Sequence, residues 1–172
     1  MKKLKTIKYI LGIKDKLLLL KSFVLSKLDY CNILLCNQST NQLQPLQIVL
    51  NQGIRFVYSL TKRDSTTAFL KSAHILPVCY RVMYKSCVMV YRILDGSAPS
   101  YLKNIVEVKP PSYRFLRSTD DWLKLSNSNV INCLQSSMVK NWNALPLSLR
   151  CSETINIFKR NLKTHYFRIA FN

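Results

Sequence analysis

The most regular chemical pattern in the sequence is a series of three cations, Arg81, Lys85 and Arg92, with offsets of four and eleven residues from the first. At 100° per residue of an α-helix, these offsets place the three side chains within about 40° of one another. Three tyrosines repeat the spacing one position earlier: Tyr80, Tyr84 and Tyr91. Since cations contact phosphates and aromatic rings stack on bases, the pattern is suited to nucleic-acid binding. The alternative is a solvated charged face beside tyrosines that pack into the core.

Residues that could carry catalysis are few. Adjacent acids such as Asp120 and Asp121 can hold Mg²⁺ in polymerases. The residues before this pair are not those of a polymerase hairpin, so we interpret it as part of a loop or the start of a strand. His74 and His165 are far apart and lack nearby acids, and three glycines cannot build a glycine-rich phosphate loop. The sequence therefore predicts no catalytic residue, no metal ligand and no cofactor in this chain, which we do not expect to be an enzyme.

Six cysteines are present, and no two have C-x-x-C spacing. Cys31 and Cys36 are five residues apart, so on a helix they would point in different directions. We interpret the cysteines as small, buried hydrophobic residues rather than zinc ligands. Because no secretory signal pattern is evident, we expect a reduced, intracellular protein of the cytoplasm or nucleus.

The net charge limits the classes of partner. The chain of 172 residues carries 26 Lys and Arg against 8 Asp and Glu, a formal charge of +18. The electrostatic field of this positive charge attracts polyanions, so the expected partners are nucleic acids or anionic membrane surfaces. The most apolar stretch is interrupted by Lys21 and Lys27, so no transmembrane span is predicted.

Apolar residues recur at helical intervals along most of the chain, so the elements that position these residues are predicted to be mainly helices. It predicts long helices over 14–36, 41–59 and 77–95, the last capped by Gly96, and short helices over 67–73 and 99–106. The period ends at Pro110. Segments 122–125 and 130–134 then predict a short β-hairpin, followed by a helix over 136–143 and a last helix after Ser152, its predicted N-cap.

These elements predict a mainly α fold. We expect an amphipathic helical bundle over 1–109 and a small C-terminal α+β region over 110–172 that contains the hairpin.

A block of residues from Ser22 to Asn32, SFVLSKLDYCN, closely resembles one found just after the polymerase palm in reverse transcriptases of jockey-like non-LTR (LINE-type) retrotransposons. Further blocks with this resemblance follow in the same order: 43–57, 76–78 with Arg81, 91–102, 116–118, 142–150 and 158–165. Two departures suggest a truncated or decaying copy. The chain has Ile75 where the family usually has tryptophan, and Gly53 where small helix-forming residues are common.

The resemblance implies the thumb and C-terminal region of such a retrotransposon's polyprotein. In that family the palm, with its catalytic Asp-Asp motif and its Mg²⁺, lies upstream together with an endonuclease domain. The family's catalytic residues match nothing in this chain.

We therefore expect a catalytically silent fragment of an RNA-directed DNA polymerase. Its thumb-like helices would bind an RNA–DNA or DNA duplex through the backbone and would join an upstream palm. The expected phosphate contacts are Lys14, Lys21, Arg55, Arg81, Lys85 and Arg92. Two alternatives stay open: a peripheral module that uses residues 2–27 on an anionic membrane or a protein partner, and a decayed copy with no selected role.

Overall fold

The computed structural model describes residues 11–108, 123–124 and 132–172. These residues are mainly helical, which confirms the predicted class. They divide into two compact units, each assembled from segments distant in sequence. Unit 1 combines the described residues up to Asn32 with Gln38–Arg81 and Tyr166–Asn172, and unit 2 combines Ile33–Asn37 with the described part of Val82–His165.

The predicted boundary between residues 109 and 110 lies outside the described residues and stays a prediction. Two long helices, Val78–Leu94 and Ile155–Phe171, each contribute to both units. A break in helical periodicity marks where an element ends, but it does not show which distant elements pack together.

The first helical run has three parts: α1 (Ile13–Leu19), a π-helical segment (Leu20–Leu25) and α2 (Ser26–Asp29). Leu20, Val24 and Leu25 are its buried apolar residues. The single helix predicted over 14–36 is too long, because Tyr30 is extended and Cys31 has a φ of 50°. A separate 3₁₀ turn follows at Asn32–Leu35.

Helix α3 (Thr40–Tyr58) agrees closely with its prediction. It begins with a capping box, in which the Gln42 N–H donates to Ser39 Oγ and the Ser39 N–H donates to Gln42 Oε1. Gly53 is buried against the π-helical segment, since a Cβ on Gly53 would collide with Leu20 Cδ1. The glycine therefore permits this close approach.

Helices α4 (Thr67–Ser72) and α5 (Val78–Leu94) also confirm their predictions. The N–H of Val78, the first residue of α5, donates to Gln47 Oε1 of α3 at 2.8 Å. After α5, Gly96 takes a φ of 77°, as expected for a glycine that ends a helix. A 3₁₀ helix, Ser100–Ile105, stands where the short helix over 99–106 was predicted.

The C-terminal helices surround an aromatic core in unit 2. Helix α6 (Asn132–Asn143) starts four residues before its prediction, and α7 (Leu147–Arg150) is a single turn. Phe158, on α8 (Ile155–Phe171), is fully buried, 5.6 Å from the ring of Trp142. The N-cap of α8 is Thr154 rather than Ser152, because Thr154 Oγ1 accepts the Ile157 N–H at 3.3 Å.

The predicted hairpin is not found among the described residues. Strand β2 (Leu123–Lys124) pairs antiparallel with β1 (Glu107–Val108) instead. The other proposed strand, 130–134, overlaps α6, which already begins at Asn132. Residues 125–131 lie outside the described part of the chain.

Candidate nucleic-acid interface

Arg81, one of the expected phosphate contacts, is held by an acid in unit 1. Its Nε donates to Asp29 Oδ1 at 2.9 Å, and its Nη2 donates to Asp29 Oδ2. Only 18% of the Arg81 side chain is exposed. The guanidinium and carboxylate planes form a two-pronged contact, the strongest geometry for such a pair. Arg81 therefore ties α5 to the end of the first helical run.

Arg55 is likewise engaged within unit 1. Its Nε donates to the Thr61 carbonyl oxygen at 3.2 Å and its Nη2 to the Asp64 carbonyl oxygen at 3.3 Å. The Thr61 N–H donates to Asp64 Oδ2 at 2.6 Å. Hydrogen bonding from Thr61 lowers the pKa of Asp64, with a smaller contribution from the Arg55 charge. Arg55 thus organises the loop that follows α3.

Two rings of the tyrosine series, Tyr80 and Tyr91, lie against other aromatic side chains. Tyr91 stacks on Phe158 with 4.6 Å between ring centroids, and its hydroxyl donates to the Ser152 carbonyl oxygen at 2.8 Å. The Tyr80 ring lies 6.0 Å from Tyr166. Burial raises the pKa of Tyr84. It also raises that of Tyr91, with a smaller contribution from Asp95. The core-packing alternative is therefore confirmed for Tyr91, whereas Tyr80 and Tyr84 are half-buried.

The other four expected contacts form no ion pair with any described residue. Lys14 and Lys21 are exposed on the first helical run of unit 1. They are seven residues apart, about two helical turns, so they share a face. On the part of α5 that belongs to unit 2, Arg92 is exposed and Lys85 is half-buried. These are the predicted contacts whose charges are available to a ligand.

Sequence reasoning missed a second set of exposed residues on the first helical run. Phe23, Lys27 and Tyr30 are exposed at intervals of four and three residues, which are the intervals between neighbours on a helix surface. We call these three residues the aromatic stripe. Their spacing was visible in the sequence, but Phe23 and Tyr30 are of residue types that usually pack inside. Exposed cations on α8 were also missed: Arg160, Lys163 and Arg168.

The cysteines follow the predicted burial only in part. Cys87 is buried, Cys36 and Cys79 are half-buried, and Cys31 and Cys151 are exposed. None of these five described cysteines forms a disulfide bond. Burial raises the pKa of Cys36 to about 11. Burial also raises the pKa of Cys79. The prediction of buried cysteines is wrong for Cys31 and Cys151.

Among the described residues, no group of three His, Cys, Asp or Glu side chains lies where it could hold a metal ion. No helix in this part of the chain is long and apolar enough to cross a membrane. The pair Asp120 and Asp121 lies outside the described residues.

A comparison with protein families, curated proteins and solved structures finds no match to this chain.

Proposed function

We propose that this protein binds nucleic acid through the phosphate backbone and carries out no catalysis itself. In this proposal it corresponds to the thumb and C-terminal region of a non-LTR retrotransposon reverse transcriptase, and its ligand is an RNA–DNA or DNA duplex. The ordered sequence blocks described above support this origin. The Mg²⁺ chemistry of such a polymerase belongs to an upstream palm, with which this chain would act inside the cell, in the cytoplasm or nucleus.

The observation that carries the proposal is the set of exposed cations without an acidic partner among the described residues. Lys14, Lys21 and Arg92 are exposed in a chain with a charge of +18. Cations that already hold a carboxylate, as Arg81 does, have less to offer a phosphate. Neutralising a phosphate with a free lysine or arginine releases a condensed counterion, which drives association at low salt.

The test is a salt titration with the full chain. Fluorescence anisotropy with a labelled RNA–DNA hybrid, at several NaCl concentrations, should give a log–log slope of roughly −0.9 per phosphate contacted. Replacing both Lys14 and Lys21 by Ala should reduce the magnitude of the slope by about two. The matched control replaces both by Arg, which keeps the charge and should keep the slope. An affinity independent of salt would contradict the proposal.

A second candidate function is favoured by exposed apolar residues beside the same lysines. Leu18 is 64% and Ile13 is 54% exposed on the first helical run, which also carries Lys14 and Lys21. A helix with lysines and large apolar side chains at its surface is also suited to an anionic membrane. Flotation with vesicles of phosphatidylserine and phosphatidylcholine separates the two functions. Flotation without duplex binding would favour the membrane.

A further inference from the structure

The aromatic stripe combines two exposed rings with a cation between them. Phe23 is 56% exposed, Tyr30 is 80% exposed, and Lys27 is exposed between them. Exposed rings of this size are unusual on a protein surface, where aromatic side chains normally bury most of their area. The stripe is therefore a candidate contact surface rather than an ordinary part of the helix exterior.

The backbone fixes the stripe in this outward position. Leu20, Val24 and Leu25 occupy the buried side of the π-helical segment, which leaves Phe23 facing solvent. Tyr30 is held at the end of α2 because its N–H donates to the Ser26 carbonyl oxygen at 3.1 Å. The two rings are thus presented from a run whose other side is anchored in the core of unit 1.

The charge beside the stripe is positive. Asp29 is adjacent to Tyr30 in sequence, but Arg81 pairs with its carboxylate. Lys21, two residues before Phe23, is exposed like Lys27 and adds a second free cation. A ligand that contacts the rings therefore meets uncompensated positive charge, which favours a polyanion.

We infer that the aromatic stripe binds single-stranded nucleic acid, with unpaired bases stacked on Phe23 and Tyr30 and a phosphate at Lys27. This inference rests on the proposed function and adds the kind of strand that the first helical run contacts. Bases in a duplex are stacked on each other, so their faces are not available to protein rings. Bases in a single strand are available, and such stacking tolerates any sequence.

The spacing of the rings fits more than one nucleotide. Seven residue steps lead from Phe23 to Tyr30, which corresponds to about 10 Å at the rise of an α-helix. This distance exceeds the roughly 3.4 Å axial rise per nucleotide of one strand in a duplex. The two rings would therefore engage different bases of the same strand, with the charge of Lys27 between them.

An anionic membrane is the competing partner for the aromatic stripe. The need for an aromatic ring distinguishes nucleic-acid binding from membrane binding. A membrane surface accepts any large apolar side chain, so Phe23→Leu would leave membrane binding nearly unchanged. Base stacking needs a π-face, which leucine lacks. Substitution by leucine at Phe23 and Tyr30 therefore distinguishes stacking from apolar burial.

The test measures anisotropy with the full chain and two labelled ligands of equal length, oligo(dT) and a DNA duplex. We expect Phe23→Leu and Tyr30→Leu each to weaken oligo(dT) binding by about 5- to 100-fold and to change duplex binding less than about twofold. Tyr101→Leu is the matched control, because Tyr101 is a 75% exposed tyrosine outside the stripe. Circular dichroism verifies that each variant is folded.

Three results would overturn the inference in distinguishable ways. Unchanged oligo(dT) affinity in both leucine variants, with salt-dependent duplex binding intact, overturns the aromatic stripe and leaves the proposed function standing. Absence of binding to either ligand overturns both. Flotation with phosphatidylserine vesicles that survives Phe23→Leu but is lost in Leu18→Ala, without oligo(dT) binding, assigns the surface to the membrane.

Discussion

Arg81 and Arg92 lie on the same helix, but their surroundings give them different roles. Arg81 is mostly buried and holds the Asp29 carboxylate, whereas Arg92 is exposed and has no ion pair with a described residue. Leaving one member of such a pair without its partner costs more than the pair contributes, because the remaining charge keeps its desolvation cost. The first arginine should therefore matter for stability and the second for binding.

We expect Arg81→Ala to lower the free energy of unfolding by about 1–3 kcal/mol and to leave the salt slope of duplex binding unchanged. Arg92→Ala is the control at an exposed position of the same helix, and it should show the reverse pattern. Urea unfolding followed by circular dichroism gives the first quantity, and the anisotropy titration gives the second. A salt slope that falls in Arg81→Ala while its stability is retained would restore Arg81 as a phosphate contact.

The cysteines provide a second prediction at the residue scale. The thiolate is the reactive form, so a raised pKa and burial both slow alkylation. At pH 8, iodoacetamide should modify Cys31 and Cys151 first and Cys36 roughly tenfold or more slowly, since the pKa of Cys36 is raised to about 11. Mass spectrometry of tryptic peptides over time measures the order. In 6 M guanidinium, where the chain is unfolded, the cysteines should react at equal rates. Equal rates in the folded chain would contradict the described burial.

At the scale of elements, the contact between α3 and the π-helical segment depends on a missing side chain. Gly53 is an unfavourable residue for a helix interior, by about 1 kcal/mol relative to alanine. In this helix, however, Leu20 occupies the space where a Cβ would lie. Packing against Leu20 therefore explains why a glycine occupies this position of the helix.

Gly53→Ala should lower the free energy of unfolding by about 1 kcal/mol, because overpacking of about 1–3 kcal/mol exceeds the gain in helix propensity. The same substitution in a Leu20→Val background should be neutral or stabilising, because valine lacks the Cδ atoms that would collide. Urea unfolding of the four proteins in this cycle measures the coupling. Additive effects of the two substitutions would contradict the described contact.

At the scale of the whole molecule, the charge of +18 should oppose folding through self-repulsion. Screening of exposed charges becomes effective as the Debye length falls to about 10 Å at 0.1 M salt. The thermal midpoint should therefore rise between 20 and 300 mM NaCl, as measured by circular dichroism. Sucrose is the control for a general solvent effect, since it acts without screening charge. A midpoint that falls with NaCl would show that attractive charge contacts outweigh the repulsion.

The sequence by itself determined the positions of the long helices. The apolar period in α3 and α5 and the glycine after α5 are local signals, because each residue's preference depends on neighbours within one or two turns. The same locality explains the error at the first helical run, where a φ of 50° at Cys31 ends a pattern that looks continuous in sequence. Helical periodicity does not show where the backbone takes a positive φ, least of all at a residue type such as cysteine, which rarely adopts one.

Only the tertiary structure decided which charges and rings are available to a ligand. The sequence alone does not distinguish Arg55, Arg81 and Arg92 as phosphate contacts. In the structure, Arg55 and Arg81 donate hydrogen bonds to residues elsewhere in unit 1. Tyr91 packs on Phe158, 67 positions further along the chain, whereas Tyr30 is exposed. Availability depends on contacts between residues far apart in sequence. It therefore arises from the packing of each unit and not from the pattern along one helix.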